Sequence, residues 1–182
     1  MKVIKKSQGC CGKGQVCGCQ ESVHPIISNQ LIIDFLYLDL SVCSRCQSTD
    51  TSLDEALSEV SHVLKSTGID VVIHKIQISS EALAIQHRFM SSPTIRLNGE
   101  DIQLESRESL CESCGDLCGD EVDCRVWVYK GTEYNAPPKA MIIEAILHKV
   151  YGHPSSKVKE TPYVLPQNLK KFFAGMTSKD KE

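Results

Sequence analysis

Cys43-Ser44-Arg45-Cys46 places two thiols two residues apart, just past the apolar run Leu31–Leu38. Further along, Ser92-Pro93-Thr94 opens a second short apolar run. A thiol pair at the exit of one strand, facing a proline-led strand, supplies the parts of a thiol–disulfide exchange site. In that chemistry Cys43 is the exposed attacking thiolate and Cys46 the resolving thiol. Attack on a protein or small-molecule disulfide forms a mixed disulfide, and Cys46 then displaces the product. Arg45 adds a nearby positive charge that favours thiolate. Pro93 would present main chain to an incoming extended peptide, or simply begin an edge strand. The same Cys-x-x-Cys spacing also serves as half of a zinc site or as two core cysteines, and these alternatives stay open.

A second constellation is Cys111, Cys114, Cys118 and Cys124, separated by two, three and five residues. Glu108, Glu112, Asp116, Asp120, Glu121 and Asp123 crowd the same segment. Neighbouring negative charge disfavours thiolates, whereas a bound cation stabilises several anions together. Four thiolates suit tetrahedral zinc or another thiophilic ion, with sulfurs about 3.5–4 Å apart. An iron–sulfur cluster is the weaker reading, because the spacing misses the common ferredoxin run and Arg125 stands where its proline would be. Disulfides or a redox relay remain open. Gly115 and Gly119 each follow a cysteine, and both are expected to turn the chain. Cys10, Cys11, Cys17 and Cys19 form a third, weaker group of soft-metal ligands on a glycine-rich arm, able to pass electrons or metal to Cys43 or to be incidental.

These residues need a scaffold. Leu31–Leu38 reads as the first strand. Ser52-Leu53-Asp54-Glu55 matches a capping box, and Leu53, Ala56, Leu57, Val60 and Leu64 recur at helical spacing before Gly68. Ile69–Ile78 is a second strand, and Ser80 caps a helix to about Phe89. Thr94–Leu97 is a third strand, joined through Asn98-Gly99, a strong hairpin signal, to a fourth at Asp101–Leu104. A polar segment holding four cysteines follows over residues 105–124. Arg125–Tyr129 is another strand, turning at Lys130-Gly131, and a helix runs from Pro138 to about Tyr151. Residues 1–30 read as a flexible Cys/Gly-rich tail, 31–152 as the domain, and 153–182 as a basic C-terminal extension, where Leu169, Phe172 and Phe173 suggest a docking face.

The charge layout excludes one class of partner. Residues 1–30 carry four lysines against one acid, and 153–182 six lysines against three acids, while the stretch between holds 10 basic and 19 acidic residues. No basic face is available to neutralise phosphates, so nucleic acid is not an expected partner. The basic start is followed by no apolar stretch of signal-peptide length, and no run approaches a membrane span. The chain therefore reads as cytoplasmic, where ten cysteines are catalytic or metal-binding rather than structural disulfides.

The element order, with Cys-x-x-Cys after the first strand and Ser92-Pro93-Thr94-Ile95 before a hairpin, resembles the thioredoxin fold. That resemblance covers residues 31–104 and 137–152, and makes 105–135 a cysteine-rich insertion before the last core helix of an α/β mixed sheet flanked by helices. It implies a cis Pro93 facing the redox pair. The whole chain is more similar to a prokaryotic cysteine-rich thioredoxin-like family, some members of which carry selenocysteine. That likeness rests on Cys-x-Arg-Cys, on Asp123-Cys124-Arg125-Val126-Trp127 and on Leu165-Pro166-Gln167-Asn168-Leu169, and it speaks to the fold rather than the reaction. The sequence departs from thioredoxin in reading Val42-Cys43-Ser44-Arg45-Cys46 at the motif. The buried acid of thioredoxin has no counterpart, though Asp34 and Asp39 are candidates. The capping box at Ser52 places the thiol pair in a loop before the helix.

Overall fold

The computed structural model describes residues 29–152 and 162–179. Its centre is strand β1 (Gln30–Tyr37), whose alternation buries Leu31, Ile33 and Phe35 on one face. β1 runs parallel to β2 (Asp70–Gln77), a pairing that needs a crossover. Helix α1 (Ser44–Ser66) supplies it. After the short helix α2 (Glu81–Gln86), β3 (Thr94–Leu97) lies antiparallel to β1. The Asn98-Gly99 turn, with both residues at positive φ (51° and 82°), returns the chain as β4 (Glu100–Asp101), as a two-residue hairpin turn requires. The result is a four-stranded mixed sheet in the order β2-β1-β3-β4.

One face of this sheet is covered by α1 and α4 (Lys139–Tyr151). Leu53, Ala56, Val60 and Leu64 of the first meet Met141, Ile142 and Ile146 of the second over Leu31, Ile33, Phe35, Ile95 and Leu97. Burying each such side chain contributes about 1.5–3 kcal/mol, so this layer anchors the fold.

Helix α1 begins two turns earlier than the Ser52 capping box implies. Its buried stripe is Cys46, Thr49, Leu53, Ala56, Val60 and Leu64, spaced by three and four residues throughout. Packing of Cys46 and Thr49 therefore carries the helix through Ser52. The cap is Cys43, whose sulfur accepts from the Cys46 amide at 3.4 Å.

The polar, four-cysteine segment over 105–124, to which the sequence pattern assigns no element, is ordered. It forms β5 (Arg107–Leu110), the short helix α3 (Glu112–Cys118) and β6 (Asp123–Tyr129), which pairs with β5 and with β7 (Thr132–Tyr134) in a second, three-stranded sheet. Gly115 lies within α3, and only Gly119, at φ 78°, turns the chain, as its left-handed C-cap. The two Cys-Gly-Asp triplets are thus a repeat in sequence and not in structure. Helix α5 (Gln167–Lys179) closes this layer. Leu169, Phe172 and Phe173 are buried against the cysteines of the insertion, so the face read as a docking surface is internal core. Asn168 exchanges side-chain hydrogen bonds with the Asp123 main chain, accepting at 3.0 Å and donating at 2.6 Å. Among the described residues no helix is long and apolar enough to cross a membrane.

Candidate metal centre

Cys43 reaches its position through a short turn after β1. The Asp39 carboxylate accepts from the Ser41 and Val42 amides at 2.6 and 2.8 Å, which commits Asp39 to shaping this turn. Asp34 pairs with His74 at 2.8 Å. Each of the two candidate acids thus has another task. Cys111 caps α3, and its own N–H donates to the Val122 carbonyl at 2.9 Å. Cys114 lies in the first turn of α3, and Cys124 lies on β6.

The Sγ atoms of Cys43, Cys111, Cys114 and Cys124 all lie within 4.8 Å of one another, and all four residues are buried. Cys114 and Cys124 sulfurs are 3.4 Å apart. Two zinc–sulfur bonds of about 2.3 Å each allow ligand sulfurs to be no more than ~4.6 Å apart. The group is therefore gathered almost to the dimensions of a single tetrahedral ion. An iron–sulfur cluster distributes its thiolates over several irons and spreads them wider than two metal–sulfur bonds.

Three of the four cysteines named from the sequence are in this group, and Cys43 is the fourth member. Cys118 is not. Four residues of helix rise carry it about 6 Å along α3 from Cys114. Its thiol points instead towards the Gly115 and Asp120 carbonyls, at 3.8 and 3.6 Å. Cys10, Cys11, Cys17 and Cys19 lie outside the described residues.

The four thiols cannot all ionise without a cation. Hydrogen bonds from Cys111, Cys114, Cys124 and Cys46 lower the Cys43 thiol against the opposing effect of burial. Its place at the N-terminus of α1 favours the same anion. Cys111 is lowered to about 7, chiefly through Cys114 and Cys124. Cys114 and Cys124 are raised, in both cases first by Cys111. The protons held by these raised thiols are the ones a metal ion displaces.

Cys46 stands beside the group. Its thiol is raised by donation to Cys43 and by burial, and its sulfur is 3.4 Å from Ser92 Oγ. The Ser92–Pro93 bond is cis, and Ser92 Oγ accepts from the Leu38 amide at 3.1 Å. Two expectations for the thiol pair are corrected here. Cys43 is no more exposed than Cys46, since both are fully buried. The main-chain edge beside Pro93 is also occupied, because the Ser92 carbonyl accepts from the Arg125 amide of β6 at 2.7 Å.

Arg45 acts mainly through main-chain bonds. Its guanidinium donates to the Leu110 carbonyl at 2.8 Å, to Ser109 Oγ at 3.0 Å and to the Cys124 carbonyl at 3.1 Å. It thereby ties α1, which carries Cys43, to the strands flanking Cys111 and Cys124. A guanidinium forks to several acceptors at once, which an ammonium does not. No structural role is assigned to Arg125 from the sequence beyond its strand, yet it is almost wholly buried, forms a bidentate pair with Asp101 at 2.8 Å, and lies over the Trp127 ring. An arginine inside an apolar strand pattern was the available signal, since such a residue is rarely buried unpaired. A surface pocket of about 540 Å³, lined by Ser44, Arg45, Ser48, Glu112 and Ser113, reaches Cys111. Cys111 is the cluster member lining it.

A family model described as Domain of unknown function (DUF2703) matches residues 31–146. No curated protein matches the chain, and neither does any solved structure.

Proposed function

The chain belongs to the family described as Domain of unknown function (DUF2703), and from that premise we propose that it binds one thiophilic metal ion through Cys43, Cys111, Cys114 and Cys124 on a thioredoxin-like scaffold. The observation that carries this reading is the convergence of four buried sulfurs within 4.8 Å. They come from three separate places: the start of α1, the start of α3, and β6. Four neighbouring thiols in an apolar core are poorly matched to one another when protonated, and a cation turns them into a matched set. The scaffold assignment is supported by the strand order β2-β1-β3-β4, by the cis Pro93 and by the thiol pair at the start of α1. Zinc fits the thiolate set, and other thiophilic ions share the same chemistry.

Anaerobic purification with metal analysis and thiol titration tests this. One ion per chain, with the cluster thiols protected until a chelator removes it, is the expected result. Cobalt(II) substitution should produce the intense visible bands of tetrahedral thiolate ligation. A reduced chain that takes up neither zinc nor cobalt overturns the reading.

A second reading, thiol–disulfide exchange at Cys43 and Cys46 with a protein or small-molecule partner, is favoured by one arrangement. The Cys46 amide points at Cys43 sulfur at 3.4 Å, beside the cis proline. Exchange would require the insertion to open, because the sulfurs are buried and the Ser92 carbonyl is taken by β6. Cys46→Ser should then trap mixed disulfides on Cys43. A variant that captures no partner disulfide excludes exchange.

A further inference from the structure

Cys43 belongs to two constellations at once. It is one of the four converging sulfurs, and it is also the near neighbour of Cys46. The Cys46 amide lies 3.4 Å from its sulfur. Cys46 itself is not among the four. A sulfur in a disulfide has lost the anionic charge that ligates a metal ion, so Cys43 cannot serve both arrangements together.

Resting on the four-thiolate reading above, we propose that the site is a redox-controlled metal store: formation of a Cys43–Cys46 disulfide by a peroxide withdraws one ligand and releases the ion. The step balances as follows. The Cys43 thiolate attacks a peroxide oxygen, an S–O bond forms, the O–O bond breaks and hydroxide leaves. Cys46 sulfur then attacks Cys43 sulfur. The S–S bond forms, the S–O bond breaks, and the Cys46 proton leaves with the oxygen as water. The two sulfurs together lose two electrons, which reduce the peroxide. A dithiol reductant reverses the change and restores the fourth ligand.

Three features of the site fit this assignment. Cys43 and Cys46 lie at the cap and in the first turn of one helix, so closing their bond needs no rearrangement between elements. The closed loop is short, so the bond adds little chain-entropy stabilisation and is readily reduced. Access is limited to small oxidants, since both sulfurs are fully buried and the adjoining pocket reaches the cluster at Cys111. Loss of Cys43 leaves Cys111, Cys114 and Cys124 around the ion, with an open position and one negative charge fewer. A three-ligand set with an open position holds its ion less completely than the closed four-ligand coordination of a structural site.

The test uses the full chain loaded with zinc, hydrogen peroxide as oxidant, and a chromogenic chelator to report free zinc. The expected result is zinc release in step with a single disulfide, mapped by peptide mass spectrometry to Cys43–Cys46, and zinc rebinding after dithiol reduction. Cys46→Ser should bind zinc with the stoichiometry of the natural chain and lose the peroxide-driven release. Cys46→Ala serves the same purpose if serine disturbs the contact with Ser92. A disulfide mapped to Cys114–Cys124, or release from Cys46→Ser as fast as from the natural chain, overturns the switch while leaving the site reading intact. Failure of the reduced natural chain to bind either zinc or cobalt(II) overturns the site reading, and the switch with it.

Discussion

Replacing Gly175 by alanine sets two effects of opposite sign against each other. Gly175 lies inside α5, where Gly→Ala ordinarily stabilises by about 1 kcal/mol through backbone entropy. Here a Cβ at that position would meet the Cys118 carbonyl oxygen at 2.3 Å and the Cys118 Cβ at 2.9 Å. The oxygen is main chain at the end of α3 and cannot swing aside as a flexible side chain would. Relief requires α5 to retreat by about 1 Å, and about a quarter to a half of the dispersion attraction is lost over such a gap. Overpacking of this kind costs about 1–3 kcal/mol and occasionally more. Full detachment of α5 sets an upper bound, because unburying Leu169, Phe172 and Phe173 costs roughly 6 kcal/mol at about 2 kcal/mol each. With a clash this deep the cost sits at the top of the overpacking range, about 3 kcal/mol and below the detachment bound, and after the helix-propensity gain the net destabilisation is about 2 kcal/mol. For a chain of this size that lowers Tm by roughly 4–8 °C. Thermal and urea unfolding followed by circular dichroism, with Ser178→Ala on the exposed side of the same helix as control, reads the effect. Zinc affinity should fall in the same variant, since α5 backs the helix that carries Cys111 and Cys114. If Gly175→Ala melts at or above the natural chain, helix propensity outweighs packing and α5 is not seated on Cys118.

Cys124→Ser should abolish the cobalt thiolate bands, while Cys118→Ser keeps them, because only the first removes a converging sulfur; equal loss in both would return Cys118 to the ligand set. Asp101→Ala leaves the buried Arg125 guanidinium without its carboxylate and should cost about 3 kcal/mol, measured as a lower urea midpoint. Arg45→Ala should cost about 1–2 kcal/mol, since water re-solvates most of the released carbonyls. Its signature is faster amide exchange in β5, which Arg45→Lys restores only in part. Zinc affinity should weaken as pH falls, by about tenfold per pH unit for each proton the ion displaces. The raised thiols of Cys114 and Cys124 are protonated in the ion-free cluster, so acid favours that state, and a chelator titration across neutral pH reads the slope.

The core sheet was legible because its signals are local. A compact apolar run announced β1, the Asn98-Gly99 pair announced its hairpin, and the β-branched run before Ile78 announced β2. The helical pattern of α1 was legible as well, but not its start. The Ser52 capping box is a sound local motif that lost to the burial of Cys46 and Thr49. The insertion was opaque for a related reason. Apart from β6, read as a strand over Arg125–Tyr129, its strands are short and polar and its helix α3 is under two turns long, so none of them carries a hydrophobic period long enough to read. What orders them is docking: Arg45 from α1, the Ser92 carbonyl from the cis-proline loop, and Asn168 with the apolar face of α5. None of these partners lies near the insertion along the chain.

The sequence by itself determined that this protein concentrates thiols, that two of them sit past the first strand of a mixed α/β sheet, and that Cys111, Cys114 and Cys124 share one acidic segment. Those are properties of residue type and short spacing. Only the tertiary structure decided which sulfurs meet. A ligand sphere is set by distances of a few ångströms between elements far apart in the chain, and spacing along one segment constrains them weakly. The rise of α3 carries Cys118 away from its neighbours, while the crossover after β1 and the Arg45 clamp bring Cys43 to them. The same packing that fills the fourth position covers the thiol pair and occupies the strand edge at Ser92. A motif that reads in isolation as an exposed exchange site thereby gives one of its two sulfurs, Cys43, to a buried four-sulfur cluster.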